Sequence, residues 1–189
     1  MPTDQEIFES VRQAITEMRP DLASRLTPDS KLGAELGLES LDYMELEFQL
    51  ETTFGIEFYH GSAIEKLSEL LAPHQLEDNG LLTEDGAAVL RLRLPEVDPD
   101  RLVSGLPVAG IEAKFTPRTW IRVVHELVHA RPPRCGSCGS ERLDVLKPSV
   151  LRCASCGTEL RSPDGDECLT MWASTVRGQL EQPLEARAG

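Results

Sequence analysis

Three groups of side chains in this 189-residue sequence have types and spacings that could do chemistry. The first is Ser40, a hydroxyl at the head of an acidic amphipathic stretch, LGLESLDYMELEFQLETTFGIEF, running from Leu36 to Phe58. Taken alone, such a serine is a helix cap and needs no function. The second is Cys135, Cys138, Cys153 and Cys156, two C-x2-C pairs with 14 residues between them. Four thiolates so placed fill a tetrahedral zinc and leave no open position, so the expected role is structural. Two disulfides or free thiols are the alternative. The third is His125-Glu126-Leu127-Val128-His129. Two histidines at i and i+4 could share a metal, with Glu126 as the general base of a metallopeptidase.

Each group needs an element to position it. Thr3 followed by Glu6 is a capping-box signal, and Ile7, Phe8, Val11, Ile15 and Met18 follow at helical spacing. That helix should stop before Pro20. A loop to about Glu39 holds Leu26, Leu32, Leu36 and Leu38, which should pack on the core. The next helix begins at Ser40 or Leu41 and stops at Gly55. It carries two apolar stripes: Tyr43, Leu46, Leu50 and Phe54, then Leu41, Met44 and Phe48. A surface helix needs only one stripe, so the second is expected to line a cavity or meet a partner. Shorter helices are expected over Ile64–Leu71 and from Thr83 to about Leu94. Thr116 and Pro117 open another, with Trp120, Ile121, Val124, Leu127 and Val128 as its apolar face. RLDVL and VLRC read as two strands joined by Lys147-Pro148-Ser149, and a last helix spans Cys168 to about Leu180. Cys168 reads as a buried or free thiol.

Charge narrows the function classes. The net charge is −13. Residues 1–80 hold 17 acidic and 5 basic side chains, a net of −12, whereas residues 131–161 hold 3 acidic and 6 basic, a net of +3. The acidic part disfavours nucleic acid and anionic membranes and favours partners with basic docking patches. No apolar run approaches the ~20 residues of a membrane helix. The N-terminus, MPTDQEIFES, does not read as a signal peptide, so the cytoplasm is the expected location.

The stretch from Glu6 to Phe58 resembles the acyl carrier protein family, in which an aspartate-serine-leucine motif opens the second helix. Here the aspartate is replaced by Glu39. The resemblance implies that Ser40 is the attachment serine for a covalent 4'-phosphopantetheine arm. It implies that Glu39, Leu41, Asp42, Met44, Glu45 and Glu51 meet partner enzymes, and that the protein does no catalysis itself. Those partners would be a phosphopantetheinyl transferase and acyl-transferring or condensing enzymes of fatty-acid, polyketide or related acyl metabolism. The phosphodiester formed would be an anion at a helix N-terminus, which free N–H groups and the helix dipole favour by ~0.3–1 kcal/mol. The family's last helix does not follow Phe58 at its usual spacing. A match, FTPRTWIRVV, comes much later.

The expected fold is therefore mainly α: an acyl-carrier-like helical bundle over 1–131 with an enlarged or inserted helical region at 59–114. A small β zinc ribbon with a structural zinc follows at 132–161, then a C-terminal helix and frayed tail at 162–189. On this reading HELVH is the end of a structural helix, broken at Pro132 and with no downstream histidine for a third ligand. Two alternatives remain: a zinc-ribbon module for nucleic-acid or protein interaction, and, more remotely, the metallopeptidase.

Overall fold

In the computed structural model, which describes residues 1–180, the capping signals of the sequence become helix starts. The elements in chain order are α1 (Asp4–Met18), α2 (Ser40–Phe54), α3 (Ala63–Leu70), β1 (Glu77–Asp78), β2 (Leu81–Leu82), α4 (Glu84–Arg93), α5 (Pro117–His129), β3 (Leu143–Lys147), β4 (Val150–Cys153), β5 (Glu159–Arg161) and α6 (Gly165–Leu180). They divide into two units, one of Met1–Phe58 with Gly110–Gly165, the other of Tyr59–Ala109 with the segment from Asp166 onward. The tail expected over the last nine residues, 181–189, lies outside the described residues.

In the first unit, Thr3 opens α1 with a capping box: its N–H donates to Glu6 Oε2 at 2.7 Å, and the Glu6 N–H donates to Thr3 Oγ1 at 3.2 Å. Ile7, Val11 and Ile15 then fall on one face and are fully buried. The loop to Glu39 buries Leu22, Leu26, Leu32, Leu36 and Leu38. It is therefore part of the core, as its leucine content predicts. The Leu32 N–H donates to the Phe115 carbonyl at 3.0 Å, which ties this loop to the segment entering α5.

Residue 116 caps α5, and Pro117 occupies its first turn, where a missing N–H costs nothing. α5 packs against α1 and α2. Trp120 lies 5.6 Å from Phe58 and 6.3 Å from Tyr43 between ring centroids, closing an aromatic cluster across the chain. So α5 completes the core begun by α1 and α2, as the late match to the family's final helix implies. The same unit holds a three-stranded antiparallel sheet in the order β3-β4-β5. Its third strand, β5, is absent from the sequence reading.

The second unit contains α3, the hairpin β1–β2, α4 and α6. Thr83 Oγ1 accepts the Gly86 N–H at 3.0 Å and caps α4. Three contacts join α6 to the inserted segment. Lys66 Nζ lies 2.8 Å from Asp166, the Arg177 guanidinium donates to the Leu70 carbonyl, and the Arg93 guanidinium sits 5.2 Å from the Trp172 ring centroid. The sequence reading keeps this C-terminal helix apart from the insertion. These contacts join residues too distant in sequence for a local pattern to reveal them. No described helix is long and apolar enough to cross a membrane.

Candidate functional site

The head of α2 is capped by Glu39, with Ser40 as the first helical residue. The Glu39 N–H donates to Asp42 Oδ2 at 2.8 Å, the return half of a capping box. Of the two starts the sequence offers, Ser40 and Leu41, the helix takes Ser40, so the serine is its first residue and not its cap. With capping assigned to its neighbours, the Ser40 side chain is exposed, and its hydroxyl has no hydrogen bond among the described residues. The Asp42 N–H turns back to the Glu39 carbonyl at 2.9 Å, so the N–H groups of Ser40 and Leu41 are the first-turn donors the backbone offers to an anion. Arg19 stands near this end. Its proton is held more tightly than usual, first through its hydrogen bond with Asp21 and the Asp21 charge, and only last through the charges of Asp42 and Glu39.

The two stripes of α2 have separate fates. Tyr43, Leu46 and Leu50 are buried. The Tyr43 hydroxyl donates to the Glu112 carbonyl at 3.2 Å, and burial pushes its pKa up to about 12. Leu41, Met44 and Phe48 are 77%, 64% and 63% exposed. The second stripe therefore faces solvent and does not line a cavity. Among the acidic side chains of the helix, Glu39 and Glu45 are exposed. Glu45 Oε1 accepts from the Gln49 amide at 3.0 Å. Glu51 has a structural use that the sequence does not signal: its Oε1 accepts the Phe58 N–H at 2.7 Å and pins the turn after the helix.

The tail of α2 is covered. Gly55 has φ 64°, the left-handed stop expected of it. A Cβ there would stand 2.2 Å from Val145 Cγ1, so β3 lies directly on this glycine. The Ser149 N–H donates to the Gly55 carbonyl at 3.1 Å. The half-buried Arg131 guanidinium donates to the carbonyls of Phe54 and Gly55. Carbonyls at a helix C-terminus lack intrahelical donors, and here a cation and a strand turn supply them.

The four cysteines meet at one point, with all four Sγ atoms within 4.8 Å of one another. Cys135 and Cys156 Sγ are 3.7 Å apart, and Cys138 and Cys153 Sγ are 3.6 Å apart. Zinc–sulfur bonds of ~2.3 Å in a tetrahedron place sulfurs about 3.8 Å apart, so the donor set fits zinc. All four are free cysteines, which sets the disulfide alternative aside. The two pairs sit in matching turns. Cys135 N–H donates to Ser140 O and Gly139 N–H to Cys135 O, both at 2.8 Å. Cys153 N–H donates to Thr158 O at 2.9 Å and Gly157 N–H to Cys153 O at 2.8 Å. Hydrogen bonding with the Thr158 side chain, then with its backbone, draws the Cys156 thiol down to about 6, while, against the pull of the Ser140 backbone, the thiols of Cys156 and Cys153 push Cys138 up to about 12, so the four share their protons unevenly.

The HELVH residues are otherwise engaged. His125 Nε2 lies 2.7 Å from Asp4 Oδ1, joining α5 to the start of α1. His129 Nδ1 lies 2.7 Å from the His125 carbonyl, and Glu126 is 3.6 Å from Arg122. Among the described residues, the group placed to hold a metal is the cysteine cluster. Cys168 is buried in α6.

Comparison with known proteins finds relatives of the N-terminal part of the chain. An acyl carrier protein of Campylobacter hominis is 42% identical over 62 residues, 33% of this chain and 77% of that protein. One of Guillardia theta is 39% identical over 67 residues, 35% of this chain and 82% of that protein. One of Helicobacter pylori strain G27 is 32% identical over 75 residues, 40% of this chain and 96% of that protein. No family model and no solved structure matches the chain.

Proposed function

The chain belongs, through its N-terminal part, to the acyl carrier protein family, and from that premise we propose that Ser40 receives a 4'-phosphopantetheine arm on which the protein tethers an acyl group. The observation that carries this reading is the head of α2: an exposed, unbonded hydroxyl on the first helical residue, beside an exposed apolar line and flanking acids. When bound, the arm supplies a terminal thiol that holds acyl groups as thioesters. The chain's own residues present and orient it. Ser40 Oγ gives the ester oxygen. The first-turn N–H groups and the dipole of α2 favour the anion by ~0.3–1 kcal/mol. Leu41, Met44 and Phe48, edged by Glu39, Asp42 and Glu45, offer a face to acyl-handling enzymes with basic docking patches.

The cysteine cluster would hold one structural zinc through Cys135, Cys138, Cys153 and Cys156. It would keep β3–β5 folded so that Val145, Ser149 and the neighbouring Arg131 cover the tail of α2. This position favours a protein-contact role for the basic segment over nucleic-acid binding.

The test is intact mass after incubating the full chain with coenzyme A and a broad-specificity phosphopantetheinyl transferase. A gain of one phosphopantetheine, abolished by Ser40→Ala, is expected. No gain, or a gain that survives the substitution, overturns the reading.

A further inference from the structure

The turn between β3 and β4 ties the cysteine cluster to α2. Ser149, the last residue before β4, has φ 54°, a left-handed conformation that costs a non-glycine residue free energy. It is held there from two sides. Its N–H donates to the Gly55 carbonyl at 3.1 Å, and its carbonyl accepts the Ser162 N–H at 2.9 Å. Cys153 ends the strand that Ser149 leads into, so a single four-residue strand links a metal-binding sulfur to the tail of α2. The three strands hold only five, four and three residues, and Val145 and Leu146 of β3 are 48% and 42% exposed. Strands this short, with so much apolar surface in water, need a metal to hold them.

The metal site is open to solvent on one side. Cys138 and Cys156 are exposed, whereas Cys135 and Cys153 are each 1% exposed. Each exposed sulfur stands beside a buried one: Cys138 is 3.6 Å from Cys153, and Cys156 is 3.7 Å from Cys135.

We infer that the ribbon is a redox-sensitive latch on the tail of α2: a peroxide that oxidises the exposed thiolates expels the zinc and releases the contacts of Val145 and Ser149 with Gly55. The inference rests on the zinc reading of the four cysteines and is independent of the arm on Ser40. In the step, the Cys138 thiolate attacks one oxygen of hydrogen peroxide, forms a sulfenic acid and releases hydroxide. The Cys153 thiolate then attacks the sulfenic sulfur, closing a disulfide and expelling a second hydroxide. Cys156 with Cys135 reacts likewise. Two electrons pass from two sulfurs to the peroxide, and two protons carry its oxygens away as water. The remaining thiolates no longer supply the four ligands of a structural zinc. Once the strands loosen, nothing holds Ser149 left-handed, and the Gly55 carbonyl loses a donor. Arg131 follows α5 directly, outside the strands, so its bonds to Phe54 and Gly55 survive and α2 frays only at its end.

The test takes the full-length, zinc-loaded chain through a hydrogen peroxide titration, with zinc release read by a metallochromic dye and amide exchange by mass spectrometry. The N–H groups of Gly55 and Ile56, both bonded to the Glu51 carbonyl, report the tail. One zinc per chain should leave, and a thiol reductant with zinc should restore it. Exchange at Gly55, Ile56 and Ser149 should quicken about tenfold, the effect of losing roughly one hydrogen bond, while exchange in α1 stays unchanged. A diazenedicarboxamide, which takes electrons from thiolates and spares the exposed Met44, should act alike. Zinc that stays bound under peroxide overturns the latch. So does zinc that leaves while Gly55 and Ile56 exchange at their original rate, or a loss of protection that extends through α1. A chain that takes up no zinc overturns the latch and the zinc reading together, and leaves the modification of Ser40 to its own assay.

Discussion

The two ends of α2 are built in opposite ways. At the head, Glu39 and Asp42 satisfy each other and leave the neighbouring serine unbonded and in solvent. At the tail, a glycine admits a strand, and Arg131 and the Ser149 N–H close the terminal carbonyls. Backbone groups at either end of a helix cost free energy if left dry and unpaired. The tail solves this with protein, whereas the head leaves the N–H groups of Ser40 and Leu41 to solvent or to an anion. The asymmetry suits the proposed modification of Ser40, which requires an accessible head on a helix that stays anchored. The same contrast runs along the helix between the buried line of Tyr43, Leu46 and Leu50 and the exposed line of Leu41, Met44 and Phe48.

The contrast can be broken first at the metal. Structural zinc binding is worth about 10–16 kcal/mol in small zinc domains. Chelation, or Cys135→Ser, should take zinc from one per chain to none and collapse amide-exchange protection in β3–β5. Protection in α1 and the buried face of α2 should largely remain. Loss of protection across the whole first unit would mean that the tail is not a separate brace. Next, Leu46→Ala should cost about 2–5 kcal/mol in denaturant unfolding, because Leu46 is fully buried. An effect below ~1 kcal/mol would contradict its place in the core. Gly55→Ala combines a left-handed backbone penalty with overpacking against Val145, and should cost about 2–4 kcal/mol. Its distinguishing sign is faster amide exchange at Ser149. Smallest is Phe48→Ser on the exposed line, within ~0.5 kcal/mol of wild type, as surface substitutions usually are. A larger loss would place Phe48 in a contact absent from this structure.

Local chemistry made much of this legible. Thr3 with Glu6, Thr83, and Thr116 with Pro117 each mark the helix start that the structure shows, and two stripes on α2 can be read from spacing alone. The cysteine spacing likewise brings four thiols together. The sequence leaves Ser40 and Leu41 open as the first helical residue because serine is a common cap and glutamate is not, while the Asp42 bond that makes Glu39 the cap is a matter of geometry. The hairpin β1–β2 carries one local sign, the Asn79-Gly80 pair, which suits a two-residue turn. β5 carries none, since Glu-Leu-Arg is too short for a pattern. The contacts of Gly55 with Val145 and of Glu51 with Phe58 could not be read at all. Each residue already had a sufficient local role, as helix stop or surface acid, and the second role depends on another part of the fold.

The interruption between Phe58 and Gly110 has a consequence for how the protein is made. His125 and Asp4, which join α5 to α1, are 121 residues apart. At a synthesis rate of ~5–20 residues per second, the second of these residues leaves the ribosome roughly 6–24 s after the first. Throughout that interval the face of α1 that later lies against α5 has no permanent cover. The nascent chain therefore depends on transient shelter, from chaperones or from its own leucine-rich loop, for longer than an uninterrupted carrier would.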